Sequence, residues 1–171
     1  PIFSLDRSQN MLSVLYDIFA NDKSFTIPVL VDSPLTVQMF KYVQSQLHGD
    51  ELEYYNRMTQ WENIEWIVDY ADSKMWQENS LPAIILSASG MMQAGRSRRW
   101  ASLLLPNPSS HILFCGYSVE NSLASKIKNG SLQKTILIDG KRIKNRCAIS
   151  DLHSFSGHMG RDGLLNYYSN V

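Results

Sequence analysis

Short apolar runs alternate with helix-start signals along this chain, and that alternation narrows the fold more than any other feature. The run Ile27-Pro28-Val29-Leu30-Val31 is too short for a buried helix and reads as a strand. It passes straight into Asp32-Ser33-Pro34, where Pro suits the first helical turn. The next strand is Ala83-Ile84-Ile85-Leu86-Ser87, followed by the small-residue turn Ala88-Ser89-Gly90 and a helix at 97–105. His111-Ile112-Leu113-Phe114-Cys115 is another, followed by Gly116-Tyr117 and a helix from about Glu120 to Lys128 that Asn129-Gly130 closes. Further helices are expected at Ser8–Ala20, with Ser8 as N-cap, at Leu35–Leu47 and at Arg161–Tyr168. Residues 50–80 are acidic and aromatic, with a short strand at 64–68. Thr135–Ile138 and Arg142–Ile149 flank Asp139-Gly140, a tight-hairpin pair.

Strands alternating with helices imply the α/β class: a mostly parallel sheet flanked by helices, with one hairpin appended. In such sheets ligands sit beyond the carboxyl ends of the strands. Three loops fall there: Asp32-Ser33, Ser87-Ala88-Ser89-Gly90 and Gly116-Tyr117-Ser118.

The 171 residues suit one domain spanning 1–171, and 44% hydrophobic residues suffice for a core and argue against disorder. No stretch approaches the ~20 apolar residues that span a bilayer, so no membrane partner is expected. No secretory leader is recognised, and the chain opens on Pro1 rather than Met, as a fragment or processed piece would. Cys115 and Cys147 each lie in an apolar run without a CxxC neighbour, as reduced core cysteines of a cytoplasmic protein do.

Net charge is zero but unevenly spread. Residues 1–90 hold 5 Lys/Arg against 12 Asp/Glu, and residues 91–171 hold 11 against 4. The cations come in bunches: Arg96, Arg98 and Arg99; Lys126, Lys128 and Lys134; Lys141, Arg142, Lys144 and Arg146. A polyanion such as RNA is one natural partner, and solvation of surface helices explains such bunches equally well.

Two motifs carry candidate chemistry. In Ser87–Arg96, small residues after a strand let backbone amides approach an anion, with Ser89 and Gly90 at the turn. Arg96 offers a bidentate phosphate contact. A tight turn with Met91 and Met92 as core filler accounts for the same run. In Ser154-Phe155-Ser156-Gly157-His158, Ser156 and the Gly157 amide suit a phosphate oxygen, and His158 suits proton transfer. The plain alternative is a helix-start turn with a surface His. The four histidines form no HxH, HxxxH or HExxH spacing, so no metal site can be assembled from the sequence.

In this order, these runs resemble the β-CASP domain of metallo-β-lactamase-fold nucleases, in particular the branch of the pre-mRNA 3′-end cleavage nuclease and its prokaryotic relatives. The segment from Pro1 to Gln9 resembles the family's opening segment, and Asp32-Ser33-Pro34-Leu35 its first strand end. Ser87–Arg96 resembles its Ser-Gly-Met-Met and Gly-Arg signature, and Gly116 to Leu123 its Gly-Tyr and Glu-Gly-Thr-Leu run. Phe155-Ser156-Gly157-His158 resembles motif B. The resemblance covers essentially the whole chain.

The resemblance implies a Rossmann-like domain that covers RNA in a zinc-dependent ribonuclease, inactive alone. His158 would be the general acid, and two zinc ions would sit in the parent's metallo-β-lactamase domain, the expected intramolecular partner. The zinc-binding HxHxDH segment and motifs A and C are not in this chain. A homodimer is left open. Two departures stand out: Met159-Gly160 follows His158 where relatives have Ala-Asp, and Asn121 replaces a Gly. Asn tolerates left-handed backbone, so the second change is mild. The first keeps two rivals in view: a non-catalytic β-CASP scaffold partnering an active nuclease, and an α/β module binding a small phosphorylated ligand.

Overall fold

The computed structural model describes residues 1–79, 81–130, 134–152 and 161–169. In chain order the elements are α1 (Arg7–Phe19), β1 (Val29–Asp32), α2 (Pro34–Gln44), α3 (Gly49–Thr59), β2 (Ile64–Ile67), α4 (Tyr70–Glu78) and β3 (Ile84–Leu86). There follow α5 (Arg96–Leu104), β4 (His111–Phe114), α6 (Leu123–Lys128), β5 (Thr135–Ile138), β6 (Lys141–Lys144), β7 (Ala148–Asp151) and α7 (Arg161–Ser169).

The expected α/β architecture is present. A parallel sheet of order β2-β1-β3 has β1 at its centre. Every residue of β1 is buried, because both faces of the sheet are covered. Val29 and Val31 pack with Met11 and Leu12 of α1, Phe40 of α2 and Met58 of α3. Leu30 points the other way, onto Ile67 and Trp100. A second core lies under α5, α6 and the hairpin, where Leu105, Ile112, Phe114, Ile127, Ile136 and Ile138 meet.

Capping explains several boundaries. Ser33 receives the Thr36 amide at 3.3 Å, and Pro34 opens α2 as expected. Ser122 does the same for α6, receiving the Ser125 amide at 3.1 Å. Asn121 just before it has φ 67, the left-handed conformation that Asn tolerates, so α6 begins at Leu123 rather than near Glu120. At the other end of the chain, α1 starts at Arg7 rather than after a Ser8 cap. The buried Ser8 hydroxyl instead donates back to the Phe3 carbonyl at 2.5 Å.

The hairpin forms where Asp139-Gly140 stands, with φ 49 and 76 as its turn type requires. Its second strand is shorter than expected. The amides of Arg146 and Cys147 both donate to the Leu105 carbonyl, which turns the chain out of the hairpin. Residues 148–151 then pair with β4 in parallel, as β7.

The β4-β7 pair does not hydrogen-bond to β3 among the described residues. Beside the end of β3, the Ile2 amide donates to the Ser87 carbonyl at 3.0 Å, a place that an amide of a neighbouring strand would otherwise take. Among the described residues no helix is long and apolar enough to cross a membrane. Cys115 and Cys147 are buried and free, and burial raises both thiol pKa values.

Candidate functional site

Three short loops meet at the carboxyl ends of β1, β3 and β4, and the Phe3 ring lies between two of them. A methyl group on Gly90 would sit 2.8 Å from that ring, and one on Gly116 would sit 3.5 Å from it. Only a residue without a side chain lets the turn after β3 close on Phe3 in this way. The surrounding segment is tied in by polar contacts. Thr36 donates to the Ser4 hydroxyl at 3.0 Å, and the Gln9 amide group donates to the Ser4 carbonyl at 3.1 Å.

The carboxylate of Asp32, fully buried at the end of β1, is the electrostatic centre. It receives an Arg96 guanidinium N–H at 2.6 Å, the Ser73 hydroxyl at 2.7 Å and the Trp100 indole N–H at 2.6 Å. Three elements therefore meet on one side chain: β1, α4 and the first two turns of α5. A buried carboxylate is tolerable only with such partners. Arg96 has further acceptors in the carbonyls of Ile67, at 3.0 Å, and Val68, at 2.5 Å. Ser87 adds a hydroxyl bond of 3.0 Å to the Asp32 carbonyl, locking β3 to β1.

The loop after β3 is closed on itself. The Ser89 hydroxyl donates to the Ala94 carbonyl at 3.1 Å, and the Ser89 carbonyl accepts from Ser97 at 2.7 Å. Gly95 has φ 80, and a methyl group there would lie 2.7 Å from the Ala88 carbonyl oxygen. Met92 is buried in the second core, as the core-filler account expects, whereas Met91 is only half-buried and belongs to none of the core clusters. On the β4 side, Lys128 pairs with Asp151 at 2.5 Å, donates to the Gly116 carbonyl at 3.3 Å and sits 5.5 Å from the Phe114 ring centroid. Beyond Gly116 the Tyr117 side chain is exposed.

Of the residues singled out from the sequence, Ser89, Gly90 and Arg96 are thus brought to one strand-end cluster. The Ser89 hydroxyl donates within its own loop, Gly90 is buried against Phe3, and Arg96 turns inward to Asp32. Ser156, Gly157 and His158 lie outside the described residues. Sequence reasoning missed Asp32 as the partner of Arg96, and missed Ser73 and Trp100 altogether. The available signal was a lone Asp ending an otherwise apolar strand, since a carboxylate so placed demands donors. Among the described residues no three His, Cys, Asp or Glu side chains come together as a metal ion requires. The described part of the chain therefore does not by itself fit the zinc that the resemblance implies.

Comparison with known proteins bears on this arrangement. The chain is 26% identical over 180 residues to the transcription termination factor FttA of Methanothermobacter thermautotrophicus, covering 100% of the chain and 28% of that protein. It is 25% identical over 174 residues to a ribonuclease of Thermus thermophilus, covering 98% of the chain and 39% of the relative. It is 27% identical over 171 residues to the endoribonuclease Ysh1 of Schizosaccharomyces pombe, covering 93% and 21%. The chain thus spans between about a fifth and two-fifths of the length of these relatives. The model of the Beta-Casp domain matches residues 8–127, a stretch that includes Asp32, the loop after β3 and most of α6, and the chain belongs to that family.

Proposed function

We propose that this chain is the β-CASP part of a larger RNA-processing nuclease of the metallo-β-lactamase fold, and that it covers RNA without cutting it alone. The observation that carries the reading is the convergence of three family-like loops on Phe3 and Asp32, in a chain whose relatives include proteins named as ribonucleases. In this reading the zinc and the attacking water belong to the metallo-β-lactamase part of the parent. His158 acts as general acid: as the P–O bond breaks, its imidazolium gives a proton to the leaving oxygen. Ser156 and the Gly157 amide hold a phosphate oxygen beside it. Ser89, Gly90 and Arg96 shape the strand-end surface that faces the RNA, with Arg96 acting through its hold on Asp32. The free cysteines support a reducing compartment such as the cytoplasm.

The test compares the chain alone with the full-length parent, with and without zinc, on a labelled RNA. The parent should cleave in a zinc-dependent way, and the chain alone should not. His158→Ala in the parent should lower the rate by ~10²–10⁴, the usual contribution of general acid catalysis, and should remove the alkaline limb of the pH profile. Robust cleavage by the isolated chain, or an unchanged rate in the variant, would overturn the proposal.

A further inference from the structure

The basic half of the chain is not uniformly available to a partner. Arg96 is held by Asp32, Arg98 by Asp139 at 2.7 Å, Lys128 by Asp151, and Arg99 donates to the Gln77 side chain. The hairpin is different. Lys134, Lys141, Arg142, Lys144 and Arg146 are all exposed, and none has an ion-pair partner among the described residues. The hairpin's one carboxylate, Asp139, is already taken by Arg98.

We propose that the outer face of the β5–β6 hairpin is a binding site for the phosphodiester backbone of RNA, separate from the strand-end cluster. Its geometry follows from the register. Ile136 and Ile143 are paired across the hairpin and turn into the second core. Their neighbours Thr135, Leu137, Arg142 and Lys144 therefore share the opposite face. Arg142 and Lys144 stand two residues apart on that face, about 7 Å along the strand. Lys134 and Arg146 flank its open end, where the Asn145 amide donates to the Lys134 carbonyl at 2.9 Å. Lys141 flanks the turn. Arg142 and Lys144 thus stand on the outer face, and the exposed Lys134, Arg146 and Lys141 lie at its ends, Lys141 opposite the buried Ile138. The backbone is fixed by the core beneath it, so little ordering is lost when a polyanion binds. The hairpin carries no aromatic side chain for base stacking and has one exposed apolar residue, Leu137. Such a surface recognises charge along a backbone rather than base identity.

This assignment rests on the RNA-processing reading and can fail without it. The experiment measures binding of the full chain to a fluorescein-labelled single-stranded RNA across a salt series. Neutralising up to five phosphates should give a slope of log K against log salt of about −3.5. The variant carrying Lys134→Gln, Lys141→Gln, Arg142→Gln, Lys144→Gln and Arg146→Gln should lose most of that slope and bind at least ~100-fold more weakly at 0.1 M salt. Its melting temperature should stay within a few degrees, because exposed side chains are changed. A control variant, Lys23→Gln/Lys41→Gln, should retain the wild-type slope, and RNAs of different sequence should bind alike.

Several results overturn the proposal: no RNA binding by the wild-type chain, a slope that the five-site variant keeps, or the same loss in the control. Equal affinity for polyglutamate would assign the face to an acidic protein partner. A wild-type dimer abolished by the five substitutions would assign it to the acidic half of a second copy. None of these bears on cleavage by the parent, which reads the functional proposal separately.

Discussion

Replacing Asp32 by Asn should test whether the buried ion pair organises the strand ends. The substitution keeps the size of the side chain and removes the charge that Arg96, Ser73 and Trp100 all address. Arg96 is only 13% exposed, so it cannot simply turn to water. Breaking one side of a buried pair leaves the other charge uncompensated and costs about 3–5 kcal/mol. For a chain of this length that corresponds to a fall in melting temperature of roughly 6–20 °C. Arg96→Met should cost a comparable amount, since it leaves the Asp32 carboxylate with two neutral donors. The double variant leaves neither charge alone. It should be more stable than the sum of the single losses implies, by about 2 kcal/mol. Urea denaturation of the three variants, followed by tryptophan fluorescence, measures all of this. Losses that add to within ~0.5 kcal/mol would show that the two side chains are not coupled, and the account of Asp32 as the centre of the site would fail.

Glycine substitutions separate strain from collision. Gly140→Ala places a methyl group in open space at φ 76 and should cost only ~1–2 kcal/mol for the left-handed conformation. Gly95→Ala meets the same kind of strain at φ 80 and adds a 2.7 Å approach to a backbone oxygen, so its melting temperature should fall clearly further; equal losses would refute the contact. Gly90→Ala drives a methyl group into the Phe3 ring at 2.8 Å and should cost ~1–3 kcal/mol, with part of the loss recovered by Phe3→Leu in the same chain. Burial raises the pKa values of Cys115, Cys147 and Tyr55, so the folded state holds these protons more tightly than the unfolded state. Stability from the thiols is therefore complete below the unfolded thiol pKa of ~8.5 and is lost as pH rises above it. Urea midpoints at pH 7, 9 and 10.5 should decline in that order, and Cys115→Ala/Cys147→Ala should flatten the first step.

What was legible in the sequence was local. An apolar run followed by Ser33-Pro34 specifies both a strand end and a helix start within four residues, and the structure has both. Asp139-Gly140 specifies a hairpin because its turn needs two residues that accept positive φ. The end of the hairpin was not legible, because the turn at 145–147 is imposed by the Leu105 carbonyl, some forty residues earlier. The start of α1 was misplaced for a similar reason: Ser8 has the chemistry of a cap, but the Phe3 carbonyl competes for its hydroxyl. The site followed the same rule. Arg96 was visible as a cation after a small-residue turn, whereas its partner lies 64 residues away in sequence and is identified only by the folding of β1 against α5.

The same distinction changes what the charge split means. Counted along the chain, the second half is basic throughout, and any of its clusters is an equal candidate for a polyanion. In the folded protein the arginines of α5 are consumed by structure. Arg96 and Arg99 reach back into the acidic half, to Asp32 and Gln77, and Arg98 fastens the hairpin turn through Asp139. Those contacts convert part of the split into cohesion between the two halves. What remains uncompensated is concentrated on the hairpin, whose inner face packs into the second core and whose outer-face cations have no ion-pair partner among the described residues. A surplus of charge that folding could have neutralised and did not is a better guide to an external polyanion than the count of lysines and arginines, because neutralised cations cannot release counterions on binding.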